Sequence, residues 1–141
     1  MNDMASDYTY GRGAGMRTYA ASPWNSLVLD VRKKLEALSG TTYEACFTNG
    51  YEGPRDHLGW HADNSPEIDD ERPIGVVSLG SARRINFRPI GGTAIAEVVL
   101  APGSLLLMAA GMQSTHEHRI PKHGAECGPR ISLTFRGLMR G

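Results

Sequence analysis

From Gly40 to its C-terminus the chain is a succession of short β-prone runs, each closed by a turn signal. The runs cover residues 42–48, 58–62, 74–79, 84–88, 94–100, 104–108, 116–120 and 131–135. Between them stand Gly50, Gly53-Pro54, Gly91-Gly92, Pro102-Gly103 and Gly128-Pro129, which punctuate extended backbone. About eight strands of this length after a single helix predict a mainly β fold, a sandwich or jelly roll.

That helix is expected over residues 23–39. Ser22 can cap it, Pro23 suits the first helical position, and Gly40 follows its end. Trp24, Leu27, Val28, Val31, Leu35 and Leu38 fall on one stripe and should cover a sheet. Arg32, Lys33, Lys34 and Glu36 should face water. Residues 1–22 read as a short arm ahead of a single domain, residues 23–141. The arm holds Tyr8, Tyr10 and Tyr19, which can pack on the body or stack on a flat ligand. Its Gly11-x-Gly13-x-Gly15 lacks the strand before and helix after that a nucleotide fingerprint needs.

At 141 residues one domain can bury a core. The net charge of zero argues against a strong non-specific hold on a polyanion, and leaves room for a local basic patch. No apolar run spans a bilayer, and Met1-Asn2-Asp3-Met4 lacks the pattern of a secretion signal, so a cytoplasmic protein is expected. Cys46 and Cys127 are expected to be reduced thiols.

Two stretches carry chemistry. In Gly59-Trp60-His61-Ala62-Asp63, extended backbone puts His61 and Asp63 on one face. An imidazole and a carboxylate are two thirds of a facial triad for non-heme Fe(II). The third ligand has candidates in His116 and His118, which share a strand face so that alternation cannot separate them; His57, four residues before His61, can equally be a surface turn residue. The second stretch, Arg130-Ile131-Ser132-Leu133-Thr134-Phe135-Arg136, alternates strictly. Ile131, Leu133 and Phe135 form an apolar face. Arg130, Ser132, Thr134 and Arg136 form a polar one, which suits either water or a dicarboxylate gripped by guanidinium forks. Asn49 and Tyr51, two residues apart, can point at the same ligand.

These residues carry a resemblance. Asn49-x-Tyr51, then Asp56-His57-Leu58-Gly59-Trp60-His61-Ala62-Asp63, is similar to the Asn-x-Tyr and His-x-Asp block of the AlkB-type Fe(II)/2-oxoglutarate dioxygenases. Pro73-Ile74 through Gly80, with Arg83 and Phe87-Arg88, resembles that family's next strand pair. Gly103-Ser104-Leu105-Leu106-Leu107-Met108 resembles the strand before its distal histidine. His118-Arg119-Ile120-Pro121-Lys122 resembles its His-x-apolar-Pro signature, and residues 130–136 its closing strand.

The resemblance implies a double-stranded β-helix with the helix packed outside. It implies His61, Asp63 and His118 as iron ligands, thereby choosing His118 over His116. It implies Arg130, helped by Asn49, Tyr51 and Ser132, on the far carboxylate of 2-oxoglutarate, and Arg136 near the chelating end and Asp63. The implied cofactors are Fe(II), 2-oxoglutarate and O2, and the implied reaction is oxidative demethylation of alkylated bases in single-stranded DNA or RNA by a monomer. Tyr10, Tyr19, Ser65 and Arg88 are the implied substrate contacts. Ser65 stands where the family commonly places an acidic residue, while Glu67 matches its following Glu. Arg83, Arg84, Arg88, Arg119, Lys122 and Arg140 are candidates to track phosphates.

Overall fold

The structure, a computed structural model, describes residues 1–3, 7–10 and 17–140, with backbone alone for Tyr8, Thr9, Tyr10 and Arg17. Gly11-x-Gly13-x-Gly15 lies outside the described residues, as does the side chain of Tyr10.

Two short strands, β1 (Tyr8–Tyr10) and β2 (Arg17–Tyr19), pair antiparallel ahead of helix α1 (Ser26–Ser39). There follow β3 (Ala45–Tyr51), β4 (Leu58–His61), β5 (Ile74–Gly80), β6 (Arg83–Pro89), β7 (Ala96–Leu100) and β8 (Leu105–Met108). A one-turn helix α2 (Met112–Thr115) leads straight into β9 (His116–Ile120), and β10 (Arg130–Arg136) closes the chain. The strands form two four-stranded antiparallel sheets, β3-β10-β5-β8 and β4-β9-β6-β7. Their facing apolar side chains make one core: Ile74, Val76 and Met108 from the first meet Ile85, Phe87, Leu100 and Ile120 from the second. This is the expected jelly roll.

The register assigns every side chain of the first sheet to a face. Its inner rungs are Tyr51, Arg130 and Gly80, then Asn49, Ser132 and Ser78, then Phe47, Thr134 and Val76. Its outer rungs are Gly50, Ile131 and Leu79, then Thr48, Leu133 and Val77, then Cys46, Phe135 and Gly75. The helix lies on this outer face. Leu35 sits over Gly75, where an added Cβ would come within 2.6 Å of Leu35 Cδ2, and Trp24 stacks on Phe135 at 6.5 Å.

Several expectations need correction. Helix α1 begins three residues later than expected, after Asn25, whose Oδ1 accepts from the backbone N–H of Leu27 at 2.9 Å. Trp24, packed on Phe135 and donating its indole N–H to Asp3 Oδ1 at 2.7 Å, belongs to the approach rather than the helix. Leu27 and Leu38 are 73% and 76% exposed, because the sheet meets only the narrower stripe of Val28, Val31 and Leu35. Arg32 and Glu36 pair with each other at 2.9 Å, and Arg32 also reaches Asp3. Strand β3 starts and ends three residues later than expected, because β10 pairs with it along its whole length, from Ala45 to Tyr51. Gly50 is thus a strand residue opposite Ile131.

Candidate metal and dicarboxylate site

His61 ends β4 and stands directly opposite His118 on β9. Their rings lie 4.2 Å apart. Asp63, two residues beyond His61, brings its carboxylate to the same place, and one ligand atom from each of the three lies within 4.8 Å of the others. The Nδ1–H of His61 donates to the Gly59 carbonyl at 2.8 Å, which fixes the tautomer and turns Nε2 toward Asp63 Oδ1, 3.5 Å away. Burial pushes the His118 imidazole down to about 4, so it is neutral and has a lone pair for a metal at neutral pH.

Asp63 is 1% exposed. Burial alone would raise its pKa, but the Arg136 guanidinium and then the neighbouring imidazoles outweigh burial and hold the carboxyl below its ordinary range. Arg136 grips one oxygen only, donating to Oδ2 from Nε at 3.1 Å and from a terminal nitrogen at 2.8 Å. The other oxygen, Oδ1, is buried with no hydrogen-bond partner among the described residues. A buried anionic oxygen left this way is costly unless a cation meets it. Two imidazoles and one such carboxylate fit Fe(II) or another divalent ion that needs open positions for reactants.

Arg130 faces the same space from the other end of β10. It is 2% exposed. One terminal nitrogen donates to Ser78 Oγ at 2.9 Å, and the guanidinium lies 5.1 Å from the Tyr51 ring centre. Its Nε and other terminal nitrogen are buried and make no hydrogen bond of good geometry among the described residues, with the Tyr51 hydroxyl the polar group beside the guanidinium. A buried guanidinium with donors left over is suited to an anionic ligand such as a carboxylate. Asn49 and Ser132 form the next rung. Gly80 makes the close approach possible: its φ is +85°, and a Cβ there would strike the Pro129 carbonyl just before Arg130. Between these polar ends the sheets enclose a cavity of about 100 Å³, walled by Leu58, Val76, Ile85, Met108 and Ile120, with Phe47, Thr134 and the partly exposed Tyr19 also lining it.

His61, Asp63, His118, Asn49, Tyr51, Arg130, Ser132 and Arg136 therefore share one cavity, together with Tyr19, whose ring meets Phe47 edge-on at 4.7 Å. Other candidates lie elsewhere. His116 heads β9 and its Nδ1 is 2.8 Å from Thr115 Oγ; His57 is exposed beside the Arg55 carbonyl. Arg88 points away from the cavity because its neighbour Phe87 points in; it pairs with Glu117 at 2.6 Å and lies 4.1 Å over Trp60. Ser65 is not on the cavity wall; its carbonyl accepts from the Ile68 N–H.

The expected phosphate-tracking set also contracts. Arg83 is buried and donates to the carbonyls of Asp56 and Pro121 at 2.6 and 2.7 Å. Arg119 is bonded to Asn86 and stacked on Trp60. One buried polar residue near the site carried no sequence signal: Gln113, in the single turn of α2, where no periodicity marks it.

Similarity to known proteins agrees with this geometry. Residues 2–136 match the model of the 2OG-Fe(II) oxygenase superfamily. The DNA oxidative demethylase ALKBH2 of Homo sapiens is 30% identical over 130 residues, covering 86% of this chain and 50% of that protein. The alpha-ketoglutarate-dependent dioxygenase alkB homolog 3 of Bos taurus is 30% identical over 139 residues, covering 92% of this chain and 47% of that protein. The chain thus spans about half the length of these relatives. In fold it is similar to the solved structure of OsALKBH1, with a TM-score of 0.63 at 18% identity over 84% of this chain and 66% of that one.

Proposed function

We propose a function from the premise that the chain belongs to the 2OG-Fe(II) oxygenase superfamily, as an AlkB-like dioxygenase using Fe(II), 2-oxoglutarate and O2: it removes alkyl groups oxidatively from nucleic-acid bases, acting on single strands. When bound, the metal and 2-oxoglutarate together with O2 supply the hydroxylation of a C–H bond, with succinate and CO2 as coproducts.

His61, Asp63 and His118 hold Fe(II). Arg130 would hold the far carboxylate of 2-oxoglutarate through its guanidinium, with Asn49, Tyr51 and Ser132 beside it. Arg136 neutralises Asp63 and leaves it a single oxygen for the metal. The apolar walls between the two ends keep water from the reacting carbon. On an N-methyl base the N–C bond of the hydroxylated product breaks: the carbon leaves as formaldehyde, the bonding pair stays on the nitrogen, and the hydroxyl proton passes to that nitrogen or, from a cationic base, to water. A methyl group inside a duplex stack cannot enter a cavity walled by two sheets, so an unpaired or flipped base is the reachable substrate. Tyr19, at the edge of the cavity, is proposed to stack on that base, and Tyr10 is proposed as a further substrate contact. The nucleic-acid assignment draws on the demethylase relative at 30% identity.

The single observation that carries the reading is the pair of incompletely satisfied buried groups in one cavity, an anionic oxygen on Asp63 and the guanidinium of Arg130. The test is succinate formation with Fe(II) and 2-oxoglutarate. A single-stranded oligonucleotide carrying N-methylated bases should stimulate it well above the same strand without methyl groups. His118→Ala should abolish both metal binding and turnover, and His116→Ala should retain metal. Equal succinate with both strands would move the substrate to a protein or small molecule.

A further inference from the structure

We infer that Gln113 is a positioning residue for the Asp63 carboxylate, fixing the backbone from which it projects; this rests on the reading of His61, Asp63 and His118 as the metal ligands. Asp63 lies beyond the end of β4, so no strand ladder holds its backbone N–H. That N–H donates instead to Gln113 Oε1 at 2.9 Å, and both residues are 1% exposed. A buried donor with one side-chain acceptor is an expensive group to orphan. The amide is itself held, its Nε2 reaching Met108 Sδ at 3.6 Å.

The turn that carries Gln113 is pinned to the same loop a second time. The Gln113 N–H donates to Asp70 Oδ1 at 3.3 Å, the Ser114 hydroxyl to Asp70 Oδ2 at 2.7 Å, and the Gly111 N–H to the Asp70 carbonyl at 2.7 Å. Helix α2 then runs without a break into β9, which carries His118. One turn of chain therefore sets two ligands, His118 through the backbone and Asp63 through an amide. Arg136 holds the carboxylate by its Oδ2 but makes no bond to the Asp63 backbone. Gln113 stops the loop itself. It does not line the cavity, so it acts only through Asp63.

The test is Mn(II) titration of the apoprotein, followed by the loss of the free-ion electron paramagnetic resonance signal. Gln113→Met keeps length and bulk but offers the Asp63 N–H only a thioether sulfur, a much weaker acceptor than the amide oxygen. It should weaken Mn(II) binding by roughly 10- to 100-fold, the usual range for groups that orient a ligand. Ser114→Ala, which loosens the turn yet leaves the Asp63 bond, should lower the apoprotein Tm while Mn(II) affinity stays within a few-fold of wild type. A purely structural role for Gln113 would shift Tm in both variants and affinity in neither, and that result overturns the inference. Amide hydrogen exchange in wild-type apoprotein gives an answer even if Gln113→Met does not fold: the Asp63 N–H should be strongly protected, and rapid exchange there overturns the inference. Asp63→Ala separates the two levels. Wild-type affinity in Gln113→Met with binding lost in Asp63→Ala sinks the positioning role alone, whereas retained binding in Asp63→Ala sinks the ligand assignment and this inference with it.

Discussion

Arg130 and Arg136 are the same residue type on the same strand face, yet their surroundings divide their work. Arg136 is committed to Asp63, while Arg130 has buried donors that no hydrogen bond of good geometry occupies. Arg130→Lys replaces a planar fork with a point charge that can offer one carboxylate a single well-aligned donor. A 10- to 100-fold rise in KM for 2-oxoglutarate is expected, about 1.4–2.8 kcal/mol, with Mn(II) affinity unchanged; steady-state kinetics and a metal titration check both. Cys46 makes a second residue-scale case. Burial beneath α1 pushes its thiol up to about 11, and only the thiolate reacts. In native protein between pH 7 and 9, alkylation followed by mass spectrometry should mark Cys127, which is partly exposed, and leave Cys46 unmodified until the protein is unfolded. His118 was not separable from His116 by strand alternation, since both lie on one face of β9; what separates them is register, because His61 stands opposite His118.

At the scale of elements, legibility followed how local the deciding forces are. Strand β10 was readable because period-two alternation is a local property: each of its polar residues is buried on the cavity side, and Leu133 and Phe135 lie under the helix. The start of α1 was not, because Ser22 and Asn25 are both competent caps and Pro23 suits a first turn. Tertiary contacts chose between them, by seating Trp24 against Phe135 and Asp3. Asn25→Ala should therefore cost about 1 kcal/mol, and Ser22→Ala should cost nothing measurable, in urea unfolding of the two variants. Equal losses would return the cap to Ser22. The end of β3 is illegible locally for a related reason: Gly50 signals a turn, but seven consecutive pairings with β10 hold it in the sheet. Helix α2 is too short for any periodicity, so Gln113 could be found only in three dimensions.

For the whole molecule, the two sheets bring residues far apart in sequence into one polar-lined cavity inside an apolar core. The triad and the dicarboxylate end were legible because each is built from i, i+2 pairs or from a family block. The substrate surface was not, because which face an arginine takes depends on register: Arg83 and Arg88 look alike in sequence, yet one is a buried strut and the other an outer-wall pair. A chain of zero net charge whose described arginines are mostly engaged with their own chain predicts weak non-specific affinity for nucleic acid, so on the dealkylase proposal specificity would come from the base in the cavity. The most direct measurement is the mass of a single-stranded oligonucleotide bearing one N-methylated base, before and after incubation with the protein, Fe(II), ascorbate and 2-oxoglutarate. The expected result is loss of the methyl group with matching formaldehyde, lost in Asp63→Ala and slower when the same base is paired in a duplex. An unchanged oligonucleotide alongside steady production of succinate would contradict nucleic-acid dealkylation while leaving the oxygenase chemistry in place.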